Sequence, residues 1–428
     1  MKNGFKAKIG IILMLSAMFL AGCEGKNDVS DTKNNQTEDV ITAPESQNTT
    51  TPTEDEAENT AAEKGYADIP TITKITVTDE TPGDYFGIYA MSDGIFKVAN
   101  KDFSIGLMNS DGKLLMPCEY STCRSIKNGV TAVRDDLGMW SYFNVEEGRF
   151  TVENADSLFD FSEGIGCFYD DEVYRFVNPD GSAAIDGTFF EAAPFSDGLA
   201  RVLTSDAFGY MDKTGKIVIH SDYNHFDDFH NGMARVHNGE RFGYIGKDGK
   251  LKFFMDCTAI FNYKDGLAAF TVGRKIGYID KDGRVSAEPL YERPYQEDDE
   301  YYRFECGVAP VVKDGKYGFI NKDGELVIDA VYDNAMYAVD GIIRVQKDKL
   351  FGYVTTDGKI ITDCIFNDAG VFCEGVAKVM KDGKYFFINK EGTELTSERF
   401  EDATDFCGNT AFVVKQGTDT WYKVTISG

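Results

Sequence analysis

From about residue 94 onward the apolar positions return in one phrase: a large hydrophobe, two further residues, a glycine, then an alternating apolar run. Phe195-Ser196-Asp197-Gly198-Leu199-Ala200-Arg201-Val202 is one copy, and 229–236, 263–270, 304–311 and 372–379 are others. The glycine place falls at Gly94, Gly129, Gly164, Gly198, Gly232, Gly266, Gly307, Gly341 and Gly375, and last at Asn409. Successive spacings are 35, 35, 34, 34, 34, 41, 34, 34 and 34 residues. A fixed period of this size identifies a repeat architecture, in which each unit buries its apolar face against its neighbours.

Aligned on the glycine, each unit predicts three strands. The first is the Gly-Leu-Ala-Arg-Val run, whose period of two suits a half-buried strand. Asp314-Gly315, Asp382-Gly383 or Asn238-Gly239 follows, the residue pairs a two-residue type I′ hairpin favours. The second strand is Phe208-Gly209-Tyr210-Met211-Asp212, or Ile276-Gly277-Tyr278-Ile279-Asp280, or Tyr317-Gly318-Phe319-Ile320-Asn321. Another glycine turn, such as Lys322-Asp323-Gly324, leads to a short branched strand like Leu326-Val327-Ile328, then to an aromatic-bearing linker. The expected class is all-β: tandem three-stranded antiparallel meanders of ~34 residues. The last unit has only two segments, 410–414 and 421–426, whereas Thr71 to Val77 is an orphan alternating strand ahead of the first unit. Together they would complete one unit of a propeller-like ring and remove exposed sheet edges. An open superhelical β-solenoid capped by the orphan strand is the alternative.

The aromatic-Gly-aromatic-Ile-Asp/Asn-Lys-x-Gly-Lys pattern resembles the bacterial WG-repeat family, also described as KWG repeats. The resemblance covers about Asp93 to the C-terminus. The family's Trp is replaced by Phe208, Phe242, Ile276, Tyr317 and Phe351, and Trp140 and Trp421 sit elsewhere. Membership implies a β-structured array with no defined activity.

The N-terminus has another logic. Lys2, Lys6 and Lys8 precede the apolar run Ile9 to Phe19, which ends in Leu20-Ala21-Gly22-Cys23. This resembles a bacterial lipobox, which implies cleavage before Cys23 and lipidation of its sulfur. The apolar run is shorter than the ~20 residues a spanning helix needs. The expected organisation is a signal peptide at 1–22, a disordered polar tether at 23–68 and a repeat domain at 69–428. The tether holds almost no hydrophobes, so it cannot offset its ordering entropy.

Without the three signal lysines, 41 Lys and Arg face 71 Asp and Glu, a balance of −30. Such a body repels nucleic acid and anionic headgroups. All four histidines, His220, His225, His230 and His237, fall in one short window with Asp222, Asp227 and Asp228, which makes them weak candidates for a metal site. Their spacing matches no compact ligand motif, so no metal or other cofactor is expected. Of the cysteines beyond Cys23, Cys118, Cys257 and Cys364 share one small-residue place in the repeat. Cys364 with Cys373, or Cys118 with Cys123, could pair within a linker. The Asp-Gly stretches read as turns, since no bidentate Glu follows at calcium-loop spacing. No nucleophile, phosphate-loop or dinucleotide pattern appears, so no catalytic residue is assigned and the chain reads as a non-enzyme.

The 41-residue spacing carries seven extra residues within 291–302. Tyr291, Tyr295, Tyr301 and Tyr302 there, among Glu297 to Glu300, offer stacking rings and acceptors for a ligand. Insertions in repeat arrays map to loops on one face. The expected function is that of a lipid-anchored protein outside the cytoplasm, attached to the membrane through Cys23, whose repeat body binds a protein or a glycan. A cell-envelope carbohydrate-binding or carbohydrate-processing lipoprotein, with a site in the groove of the array, is the alternative.

Overall fold

Alternation in the sequence becomes antiparallel pairing throughout the computed structural model, which describes residues 66–69, 71–80, 83–205, 208–220, 225–295 and 299–427. The expected signal, Cys23 and nearly all of the expected tether lie outside the described residues. The described residues all belong to one unit, 61–428.

Each repeat forms a small sheet, here called a blade. Blade 1 has strands Gly87–Ala90, Ile95–Ala99, Ile105–Asn109 and Leu114–Tyr120, hydrogen-bonded in chain order. Blades 2, 4, 5, 6 and 8 repeat this four-stranded plan at 122–155, 191–220, 225–255, 259–292 and 334–366. The expectation of three strands therefore missed one. The linker ahead of each glycine turn pairs as a first strand, often of only two residues, as at Thr122–Cys123 or Asn334–Ala335. A period of two cannot register in two residues.

The second and third strands lie between neighbouring blades and are buried on both faces, as in Ala309–Lys313 and Lys316–Ile320. The fourth alternates: in Leu326–Tyr332 only Ile328 is buried. Blade 3 (157–189) has a bridged irregular segment in place of a regular fourth strand. Blade 7 (304–332) lacks a first strand, and its second strand pairs with the last of blade 6 through Glu292 and Val312. Blade 9 covers 368–395, and blade 10 contains Phe400–Ala403, Thr410–Lys415 and Trp421–Ser427.

The orphan strand completes blade 10. Lys74–Glu80 pairs antiparallel with Trp421–Ser427, placing Ile75 opposite Ile426 and Val77 opposite Val424. Ten hydrophobic clusters then follow one another around the molecule, each shared by two successive blades. The decisive one joins the two ends: Phe412, Val414 and Trp421 of blade 10 pack on Ile88, Phe96 and Met108 of blade 1. Ten blades in an open array would share nine interfaces. The array is a closed propeller-like ring, and the open solenoid is excluded.

The glycine turns make a second circuit of contacts. Asp197 and Gly198 both have positive φ, 53° and 78°, as a type I′ turn requires. Being left-handed, the residue before each glycine aims its side chain at the next blade. Asn128 accepts from Gly164 N at 3.2 Å, Glu163 from Gly198 N at 3.0 Å, and Asn231 from Gly266 N at 3.2 Å. Cys407 Sγ accepts from Gly94 N at 3.2 Å across the closure. Asn409 was expected to take a left-handed conformation in place of glycine. Instead Gly408 does so, at φ 59°, while Asn409 stays outside that region. Positive φ at the first central residue alone is the type II′ pattern, which favours Gly there. Asn238-Gly239 also departs from expectation. The strands pair at His237 and Phe242, so the loop has four residues, tied by Asn238 Oδ1 accepting from Arg241 N at 2.8 Å.

Packing on the ring begins at Tyr66, inside the expected tether. Tyr66–Asp68 forms one 3-10 turn. Tyr66 Oη donates to Lys390 O at 3.2 Å, and buried Lys390 returns bonds to Tyr66 O and Ile69 O.

Candidate functional site

The site expected at 291–302 is best seen against the interfaces that keep the rule. Three residues after the anchor glycine stands Arg201 in blade 4, Arg235 in blade 5 and Arg344 in blade 8. Each donates to a first-strand carbonyl of the next blade: Arg201 to Phe226 O at 3.1 Å, Arg235 to Ile260 O at 3.0 Å, Arg344 to Ala369 O. The tyrosine of the aromatic-Gly-Tyr segment donates to the very next carbonyl: Tyr210 to Asp227 O at 2.5 Å, Tyr244 to Phe261 O at 2.8 Å, Tyr353 to Gly370 O at 2.7 Å. In blades 5 and 6 a bulge interrupts the first strand's own ladder at this point, between Phe226 and Phe229 and between Ile260 and Tyr263. Backbone polar groups that leave a ladder need other partners when buried. The previous blade supplies them.

Between blades 6 and 7 the rule fails. Ala269 stands in the Arg place. Tyr278 keeps its ring, edge-on to Phe304 at 4.6 Å, as Tyr353 is to Phe372 at 4.9 Å. Its hydroxyl, however, is buried without a hydrogen-bond partner. The reason is spacing. Every bonded tyrosine reaches a carbonyl 17 residues on, and 17 residues after Tyr278 the chain is at Tyr295, inside the insertion. Burial drives the Tyr278 phenol well above its ordinary pKa, so it remains a protonated donor.

The four insertion tyrosines part company. Tyr302 was expected to contact ligand and instead is core: it ends the 3-10 turn Asp299–Tyr302, is 1 % exposed, and packs on Phe261 at 4.6 Å. It shares a cluster with Ala269, and Arg293 donates to its hydroxyl at 2.8 Å. Tyr291 lies half-buried in the fourth strand of blade 6. Tyr301, half-buried, meets Tyr337 of blade 8 at 6.0 Å. Tyr295 is 56 % exposed and edge-on to Tyr317 at 6.2 Å. The insertion thus presents Tyr295, partly Tyr301, and no common platform of four rings.

The histidines do not converge either. His220 is exposed on the last strand of blade 4. His230 adjoins the glycine turn of blade 5, and His237 lies at that blade's other end, where its Nδ1 accepts from Gly239 N at 3.1 Å. His225 is the register partner of His237, and its side chain is outside the described residues. Among the described residues no group of three or more His, Cys, Asp or Glu side chains could hold a metal ion. Cys118 to Cys407 are all free thiols, including both pairs that could have bridged within a linker. Burial raises Cys123, Cys257 and Cys373 to about 11, so these thiols are protonated near neutral pH.

Close approach explains the glycine of the aromatic-Gly-aromatic signature. A Cβ at Gly243 would lie 2.5 Å from Phe253 O, and one at Gly318 would lie 2.7 Å from Ile328 O. The family described as WG containing repeat matches at 105–140, 174–206, 208–241, 276–317, 317–351 and 351–385. Residues 105–385 belong to the WG containing repeat family. No curated protein matches the chain. Similar solved structures include a eukaryotic initiation factor (11 % identity, TM-score 0.49, 77 % of this chain and 97 % of that one). BamB from Moraxella catarrhalis is similar at 10 % identity and TM-score 0.35, over 71 % of this chain and 96 % of its own. The computationally designed Ika8 protein is similar at 12 % identity and TM-score 0.29, over 84 % of this chain and 100 % of its own. These likenesses are distant.

Proposed function

We propose that this is a non-enzymatic, lipid-anchored surface protein whose WG-repeat ring binds a protein or glycan outside the cytoplasm. The reading of place is supported by Leu20-Ala21-Gly22-Cys23 at the end of an apolar run. The reading of binding is supported above all by the blade 6–7 seam. There the repeat gives up two inter-blade hydrogen bonds and a first strand for an insertion that presents Tyr295 to solvent. A loop that breaks a repeat at a cost in bonding is where a repeat protein puts recognition.

Two measurements test it. Metabolic labelling with a palmitate analogue should mark the wild-type chain and not Cys23→Ser, and equal label in both would defeat the anchor. A glycan and surface-protein array probed with residues 66–428 should give a ligand whose binding falls at least several-fold in Tyr295→Ser. A ligand indifferent to that change would remove the seam from the site.

A further inference from the structure

A second departure from the repeat lies on blade 1, in a hairpin loop of a kind the ring uses many times. In Asn109–Gly112, Asp135–Gly138, Asn178–Gly181, Asp212–Gly215, Asp280–Gly283, Asn321–Gly324 and Asn389–Gly392, an Asn or Asp begins a turn whose fourth residue is a left-handed glycine. That glycine's N–H donates to the first residue's carbonyl, at 3.0 Å in Asn109–Gly112 and 3.2 Å in Asp135–Gly138. The leading side chain accepts from the backbone beyond, as Asp135 Oδ1 does from Met139 N at 2.8 Å. Asn100-Lys101-Asp102-Phe103 forms the same loop. Phe103 N donates to Asn100 O at 3.0 Å, and Asn100 Oδ1 accepts from Ser104 N at 2.9 Å. Yet the left-handed place, φ 63°, holds a phenylalanine.

A bulky side chain at positive φ is an outlier, and burial does not repay it. Phe103 is 64 % exposed, and its ring contact is Phe86 at 4.8 Å, itself 58 % exposed. Phe86 is tied beside the loop because its N–H donates to Ala99 O at 2.8 Å. Strain held at an exposed aromatic pair points to a contact made outside the chain.

The surroundings give that contact its charge. Antiparallel order brings the hairpins between second and third strands to one face of the ring. Next to Phe103 on this face come the hairpins of blades 2 and 3, with Asp135, Asp136, Asp170, Asp171 and Glu172, and with Leu137 exposed. Farther round, the equivalent loops of blades 6 to 9 are basic, with Arg274, Lys275 and the lysines flanking Asp314, Asp348 and Asp382. The aromatic pair therefore sits on the acidic arc of a face whose opposite arc is cationic.

We propose that Phe86 and Phe103, with the acidic hairpins of blades 2 and 3, form a docking surface for a cationic protein segment bearing apolar side chains. The rings take aliphatic groups or the flat faces of Arg and Lys, and the carboxylates set orientation and encounter rate. This surface is separate from the blade 6–7 seam and goes beyond the binding function proposed there.

The test is fluorescence anisotropy of a labelled sixteen-residue Lys/Leu amphipathic peptide titrated with the full chain. Phe103→Gly is the informative variant, because it supplies the residue the loop prefers and should raise the unfolding midpoint. Binding should weaken about tenfold or more in Phe103→Gly and in Phe86→Ser, as truncation of a hot spot does. It should fall several-fold in Asp135→Asn/Asp136→Asn and with added salt, and stay unchanged in Tyr295→Ser. Peptide affinity indifferent to Phe103→Gly would overturn the proposal. So would two other outcomes: neutral phosphatidylcholine vesicles that bind wild type and lose the Phe103→Gly variant while the peptide does not, which assigns the rings to a membrane; or a dimer in sedimentation that Phe103→Gly dissolves, which assigns the face to a second copy.

Discussion

The blade 8–9 interface and the blade 6–7 interface start from the same repeat and end differently. At the first, Arg344 and Tyr353 close two successive carbonyls, Ala369 O and Gly370 O. At the second, Ala269 and Tyr278 stand in the same places, and an insertion occupies the region where those carbonyls would be. Both keep the edge-on aromatic pair and a continuous apolar cluster. Apolar packing therefore carries the ring around its circuit. The hydrogen bonds set how each first strand is seated, and they can be given up where something else is gained.

The comparison breaks most visibly if ring closure is not what unites the interfaces. Deleting residues 69–80 removes buried Ile69 and Ile75 along with the outer strand of blade 10. The expected loss is on the order of 3 kcal/mol or more, from ~1.5–3 kcal/mol for each buried side chain. Hydrogen exchange should rise at Phe412 and Val424 as much as at Phe96. A rise confined to 94–98 would mean that Lys74–Glu80 only caps an open array.

Next in size is the tyrosine pair itself. Tyr353→Phe strands the buried Gly370 carbonyl and should cost about 1–3 kcal/mol. Tyr278→Phe removes a hydroxyl that has no partner and should be neutral or stabilising. Urea unfolding of the two variants decides this, and equal losses would show that the seam makes a bond after all.

The smallest effect separates shape from conformation at the glycine turns. Nothing lies within 4 Å of a Cβ at Gly198, whose φ is 78°. Gly198→Val should therefore cost more than ~1 kcal/mol through backbone strain alone, while Gly198→Asn should cost only a few tenths, since Asn tolerates this region. Thermal midpoints that rank the two alike would remove the left-handed turn as the reason for glycine.

Much of the ring was legible in the amino-acid order. The 34-residue spacing marked out the units, and the orphan run Thr71 to Val77 supplied the strand that shuts blade 10. What stayed hidden was whatever the period cannot carry. Two-residue strands such as Asn334–Ala335 are too short to alternate. Tyr302 looks like its neighbours in an exposed loop, and only its packing in the cluster around Ala269 makes it core. Asn409 aligns with glycine, yet Gly408 one place earlier was free to take the positive φ. Other signals were present and unread. The fixed interval from Tyr210, Tyr244 and Tyr353 to their carbonyls lands Tyr278 in the insertion, and Asn100-Lys101-Asp102-Phe103 stands where Asn109-Ser110-Asp111-Gly112 shows the rule.

The pairing of Lys74–Glu80 with Trp421–Ser427 also fixes an order in time. The strand made first waits for the strand made last, across nearly the whole length of the chain, and closing so long a loop is entropically late. Until residues 421–427 have been synthesised, nine blades can stack one upon another but the circuit stays open. Blade 1 and the incomplete tenth then present bare apolar flanks to any neighbouring chain. The period of greatest vulnerability for this protein is therefore the end of its own synthesis, and it ends when the two termini meet.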